Sequence, residues 1–279
     1  MTATDRLGMC TAGLMADPLA PTAESVRGAF AATADAGLSA ASVWGWHLPF
    51  LTDAGTLVAA SAALDGLGIH VAVVEAATAW SAGTTDAVRS EAAQLAAAVE
   101  AVGASSVLAV CLEPVLAEPE RAREHLAVLA EATGQVGAGV CVEFLPWSGV
   151  ATLAAAWDLV APLGPAVGIV LDTWHWQRQP GGGDLALLAS IPAERFPFVQ
   201  LSDAPAAPVG DLMTETMQGR LLPGDGAIDF TAPLRCLEGI GARPFVALEI
   251  FNPALVSTLG VAAAAVAMRA AAGRVLAVV

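Results

Sequence analysis

The sequence predicts an α/β chain folded as a single (β/α)8 TIM barrel over residues 1–279. Three observations carry this expectation. Short apolar runs rich in β-forming residues recur eight times. Amphipathic stretches rich in Ala, Leu and Glu lie between them, several ending in glycine as helix C-termini do. No composition shift or Pro/Ser-rich linker divides the chain. Alternating β and α elements imply parallel strands with right-handed crossovers, and eight such units in a chain of this length close into a barrel.

In chain order, the first strand is read in LGMCTAGLM (7–15), before the helical TAESVRGAFAATADAG (22–37). The second lies in SAASVWGW (39–46) and the third in IHVAVVEA (69–76), before the helical DAVRSEAAQLAAAVEAVG (86–103). The fourth to eighth fall in SVLAVCLE (106–113), GVCVEFL (139–145), VGIVLD (167–172), FPFVQLSD (196–203) and FVALEI (245–250). The Ala-rich tail Val261 to Ala272 reads as a packed helix. A doubly wound open sheet is the alternative, but no GxGxxG or GxxxxGK[ST] follows an early strand, and GGG at 181–183 reads as loop.

Composition narrows the function classes. The chain is 56% hydrophobic and 14% charged, with a formal net charge of −15, and all 12 basic residues are arginine. Such a surface repels phosphate backbones and anionic membranes, so nucleic acid and membrane are poor partners. Its apolar residues are largely alanine, interrupted by Gly, Pro, Asp or Arg, and give no convincing membrane span. The start MTATDRLGM lacks a basic region followed by an apolar core, which points to a cytoplasmic address. Cys10, Cys111, Cys141 and Cys236 are far apart and form no CxxC pattern, against a zinc ribbon or disulfide framework.

The chemistry of a barrel of this kind sits where strands end and loops begin. Four later strands end in oxygen-bearing side chains: Glu143, Asp172, Gln200 and Glu249, separated by 29, 28 and 49 residues. Three carboxylates crowded at a water-poor rim repel one another unless something positive lies between them, and the chain has no lysine to supply it. A divalent ion held by these carboxylates and the amide oxygen satisfies the requirement, and oxygen-only ligation favours Mn, Mg or Co over zinc. The bland alternative for any one strand-end acid is a helix N-cap or loop anchor. Asp203 is read as such an anchor, and Glu75 and Glu113 as pocket lining or structure.

The segments EFLPWSG, LDTWHWQR, VQLSDAP, RLLPGDGAIDF and ALEIF, in that order and spacing, resemble the xylose isomerase-like barrel superfamily of sugar phosphate isomerases and epimerases. That superfamily includes ketose epimerases, hydroxypyruvate isomerase, inosose dehydratase and 3-dehydroshikimate dehydratase. The resemblance is sharpest from Val140 to Phe251. It implies one divalent metal on Glu143, Asp172, Gln200 and Glu249, a substrate-touching His175, and Arg220 as a substrate clamp. Three departures stand beside these matches. Gln200 occupies the place where epimerases have histidine and some dehydratases glutamine. Leu145 replaces a histidine of the better-known dehydroshikimate dehydratase pattern, and Gly149 replaces an acid that ketohexose epimerases use.

Polarising a carbonyl and its neighbouring hydroxyl makes the adjacent C–H acidic and stabilises the enediolate. Glu143 and Glu249 are expected to act as the acid/base pair, with His175 polarising or protonating a substrate oxygen. Returning the proton to another carbon or face gives isomerisation or epimerisation, whereas loss of a β-oxygen gives dehydration. Trp44, Trp46, Trp80, Trp147, Trp174 and Trp176 fall at or just past strand ends, and with His47 offer a rim for a cyclic polyol, keto-sugar or similar hydroxyketone. Only Arg220 and Arg178 are placed to meet an anion, which disfavours a phosphorylated substrate. A metabolite-binding barrel without catalysis is the reading from a different class, and a homodimer is compatible with the resemblance.

Overall fold

The computed structural model describes residues 6–278, so most of the segment read for a leader lies outside the described residues. Eight parallel strands close on themselves in sequence order, β1 pairing with β8. They are β1 Leu7–Cys10, β2 Ala40–Trp44, β3 His70–Ala77, β4 Ser106–Val110, β5 Gly139–Glu143, β6 Val167–Asp172, β7 Phe198–Leu201 and β8 Phe245–Leu248.

Successive side chains of a strand point to opposite faces, so each strand feeds two separate cores. In β5, Val140 and Val142 join the large cluster under the surrounding helices, while Cys141 joins the smaller cluster inside the barrel. The same alternation sends Ile169 and Leu171 outward from β6 and Val170 inward, and sends Phe198 inward from β7. Continuing this phase past Cys141, Val170 and Phe198 turns Glu143, Asp172 and Gln200 inward at the C-terminal end. A strand buried on both faces needs apolar residues at nearly every position, which is why the runs were visible in the sequence.

Several runs are longer than the strands they contain. The chain leaves β1 after Cys10 for a 3-10 turn, Thr11–Leu14, and leaves β2 after Trp44 for another, Gly45–Leu51. Residues there stay apolar because the loops cover the top of the barrel and are themselves buried, as Ala12, Leu14, Leu48 and Leu51 are. The helices start on side-chain caps that the sequence supplies: Thr22, Thr84 and Thr152 each accept a backbone N–H of the first turn. The tail forms the helix Val261–Leu276, which packs Ala264, Ala265, Met268 and Ala272 into the outer core. Among the described residues, no single helix is long and apolar enough to cross a membrane. The four cysteines are free, three of them buried.

Candidate active site

The ends of β5 to β8 bring Glu143, Asp172, Gln200 and Glu249 to one place. Asp172 and Gln200 face each other across the β6–β7 pairing. Glu143 stands level with Val170, and Gln200 with Ala247, so Glu143 and Glu249 are each offset by one pleat from that pair. Such a stagger accompanies the tilt of strands in a closed barrel.

Asp172 meets two demands at once. Its Oδ1 caps the helix Thr173–Arg178, accepting the N–H groups of Trp174 at 2.6 Å and His175 at 3.0 Å. Its Oδ2 accepts from Arg220 Nη1 at 2.6 Å. Burial alone would raise this carboxyl, but the Arg220 guanidinium, His175 and the cap hold it below the ordinary carboxylate range. His175, three residues on, swings its Nε2 to 3.1 Å from Glu143 Oε1 and 3.9 Å from Asp172 Oδ2, leaving the buried Nδ1 without a partner.

Arg220 is the feature that sequence reasoning placed incompletely. Besides Asp172, its Nη1 lies 3.1 Å from Glu249 Oε2, while Nε and Nη2 donate to Thr216 O and Oγ1 at 2.9 Å. The guanidinium packs over Trp174 and Phe251 at 5.7 and 5.4 Å. The chain has no lysine, but Arg220, expected as a substrate clamp, supplies positive charge on the Asp172 and Glu249 side. Its backbone is fastened too. Leu221 bridges to Asp203 through paired hydrogen bonds of 2.8 and 2.9 Å, and Asn252 Nδ2 donates to Arg220 O at 2.9 Å.

One guanidinium does not balance this site. Glu75, Glu143, Asp172 and Glu249 are all buried around it. Burial pushes Glu249 well above the ordinary range, against the pull of Arg220, and neighbouring Glu75, Glu143 and Asp172 push it further. Burial likewise raises Glu75 to about 7, and its Oε1 has no partner. Gln200 donates Nε2 to Glu249 Oε1 at 2.9 Å, which turns its carbonyl oxygen away, buried and without a donor. A lone buried acceptor among surplus carboxylates is the environment a hard cation fills. Ligand atoms of Glu143, Asp172 and His175 also lie within 4.8 Å of one another. The residues present thus fit a divalent ion, which would share Asp172 and Glu249 with Arg220.

Above this cluster opens a cavity of about 560 Å³ lined by Glu75, Glu143, His175, Arg220 and Glu249. Trp44, Trp46 and Trp147 line it as expected. His47, Trp174 and Trp176 do not, contrary to the sequence reading. His47 is buried with Nε2 2.9 Å from Pro18 O. Trp174 lies behind the site, donating Nε1 to Glu215 Oε1 at 3.1 Å, and Trp176 is packed into the outer core. Arg178 is held by Glu215 and by Pro205 O rather than aimed at a ligand. Asp203 anchors the PGDG loop, accepting from the N–H groups of Ala204, Gly224, Gly226 and Ile228. A Cβ on Gly226 would lie 2.4 Å from Asp203 Oδ1, so that loop closes only around glycine. Gly149 is equally constrained, because a Cβ there would sit 2.1 Å from Leu116 N and no acid could replace it.

A family model for the xylose isomerase-like TIM barrel matches residues 30–272, most of the chain. The chain belongs to the xylose isomerase-like TIM barrel family. Among the proteins it is similar to, a 3-dehydroshikimate dehydratase of Pseudomonas putida is 33% identical over 131 residues, 46% of this chain and 20% of the dehydratase. An inosose isomerase of Bacillus velezensis is 31% identical over 133 residues, 47% of this chain and 46% of the isomerase. The matched segments therefore span about a fifth and about half of those proteins. The crystal structure of the IOLI protein with a bound zinc atom superposes with a TM-score of 0.76 at 22% identity, covering 88% of this chain and 91% of that one. At that identity the likeness is one of fold.

Proposed function

We propose that this protein is a metal-dependent isomerase or epimerase that moves a proton next to the carbonyl of a small hydroxyketone. One observation carries the reading: the floor of the cavity holds more buried carboxylate than Arg220 balances, beside a Gln200 carbonyl oxygen with no donor. Glu143, Asp172, Gln200 and Glu249 would hold the ion, for which Mn, Mg and Co suit the mostly oxygen donor set. An ion bound there supplies Lewis-acid polarisation of a substrate carbonyl, which acidifies the adjacent C–H.

The chain's own groups do the rest. Glu143 and Glu249 both line the cavity, so one carboxylate can take a proton and the other can return one to the substrate. His175 Nε2, 3.1 Å from Glu143 Oε1, orients that carboxylate and can pass a proton to a substrate oxygen. Arg220 stays charged, its carboxylate partners holding it above even the ordinary arginine range despite burial, and so stabilises a developing oxyanion without exchanging protons. A second reading, elimination of water by the same first step, is supported by the 33% identity to a dehydratase. The reading takes the chain as one domain in the cytoplasm, acting on a small molecule.

The deciding experiment incubates Mn²⁺-loaded protein with hydroxyketones in deuterated water. Deuterium beside the carbonyl with an unchanged skeleton supports isomerase chemistry, and an enone absorbance supports the dehydratase. Neither signal from any hydroxyketone, or equal exchange with Glu143→Gln, sinks the proposal.

A further inference from the structure

The cavity is polar at one end only. Its acidic floor gives way to walls of Leu108, Val110, Leu145 and Phe251, all buried and all part of the apolar cluster that fills the barrel interior. Above that floor one lining donor, Trp147 Nε1 beside His175, is buried without a partner, and the other polar lining residues are committed elsewhere. Glu91 accepts from Thr78 N, Thr78 Oγ1 and Ala79 N, and Thr216 Oγ1 accepts from Arg220. The mouth is apolar as well: Leu19, Trp46, Leu112 and Met213 line it while 69%, 46%, 56% and 46% exposed. Large apolar side chains left in water around a pocket entrance mark a surface that an apolar ligand covers.

Resting on the enolising site proposed above, we infer that the substrate is a hydroxyketone whose far end is an apolar ring or alkyl chain, rather than a ring hydroxylated all round. A polyol in this cavity would press its distal hydroxyls against Leu108, Val110 and Phe251, and each hydroxyl buried without a partner weakens binding. A phenyl or alkyl body would instead bury its surface against the same wall and, at the mouth, against Trp46 and Leu112. The oxygen-bearing end then meets Glu143, His175, Arg220 and Glu249. Arg178 and Arg220 are both tied to carboxylates, so an anionic tail also lacks a cation near the site.

The test compares three probes that share the hydroxyketone group: 2-hydroxyacetophenone, hydroxyacetone and an inosose. Calorimetric titration into Mn²⁺-loaded protein reads affinity whether or not any probe turns over. The aryl compound should bind about tenfold or more tightly than either of the others, as burial of its extra ring carbons requires. In the double variant W46S/L112S, built at two exposed positions of the mouth, that advantage should fall to about threefold or less, because the aryl compound loses more apolar contact there than the short hydroxyacetone does. Equal or tighter binding of the inosose, an aryl preference that survives the double variant, or no aryl binding at all overturns the inference. Deuterium exchange is scored separately on the same samples: an aryl preference without exchange refutes the enolisation chemistry alone, and exchange without the preference refutes the substrate class alone.

Discussion

Replacing Arg220 with methionine removes the guanidinium while keeping much of the side-chain volume. In the parent, Nη1 lies 2.6 Å from Asp172 Oδ2 and 3.1 Å from Glu249 Oε2, with all three side chains buried. Opposite unit charges about 4 Å apart attract by about 4 kcal/mol at an effective dielectric constant of about 20. The cost of burying the arginine offsets part of that in the parent, but truncating one partner leaves the buried Asp172 carboxylate, which is held below the ordinary range, unmatched, and such breaks cost about 3–5 kcal/mol. Reversible urea denaturation in EDTA should therefore show Arg220→Met less stable by about that amount, with an unchanged m-value. Adding Mn²⁺ at about 100 times its Kd stabilises a single-site protein by about 2.7 kcal/mol. At equal Mn²⁺ the variant should gain more than the parent, because no arginine competes for Asp172 and Glu249. A loss below about 1 kcal/mol in EDTA would refute the ion-pair argument. Equal gains from Mn²⁺ would refute the idea that ion and arginine share those carboxylates.

Further outcomes follow from the same geometry. Gln200→Leu keeps volume but deletes the unpartnered carbonyl oxygen, so Mn²⁺ affinity measured by calorimetry should weaken by about tenfold or more. Glu75 titrates at about 7 in the fold against an ordinary value of 4.5, so the folded protein binds this proton more tightly than the unfolded chain. Stability from this group is full below pH 4.5 and is lost as pH rises through about 7, by up to about 3 kcal/mol, and Glu75→Gln should flatten the profile in EDTA over that window. Asp203→Ala strands the N–H groups of Ala204, Gly224, Gly226 and Ile228, and should lower Tm by about 5 °C for a loss of about 3 kcal/mol. Gly149→Ala forces a Cβ onto Leu116 N and should reduce soluble yield or Tm more than Gly28→Ala, where a Cβ meets nothing.

Much of this was legible before any coordinates. The doubly buried strands announce themselves as apolar runs, and the repeat between them aligns Glu143, Asp172 and Gln200 because inward phase is preserved along β5 to β7. Legibility ends where the period changes. Past Asp172 the chain turns into a short helix, so Trp174, His175 and Trp176 point in different directions, and only His175 reaches the cavity. His47 sits in a 3-10 turn after β2 for the same reason. Glu75 lines the cavity, as read, although β3 runs on to Ala77 and shifts register against β4 between Val74 and Ala77. The pairing of Arg220 with Asp172 spans 48 positions and depends on the bridge between Leu221 and Asp203, which no local pattern encodes.

That bridge has a bearing on how the protein comes into being. Because Arg220 is clamped by its own backbone between the ends of β7 and β8, half of the acidic floor is already matched when the barrel closes. Were the proposed ion absent, the barrel could still close with Asp172 and Glu249 facing a cation, so synthesis and loading would be separable events.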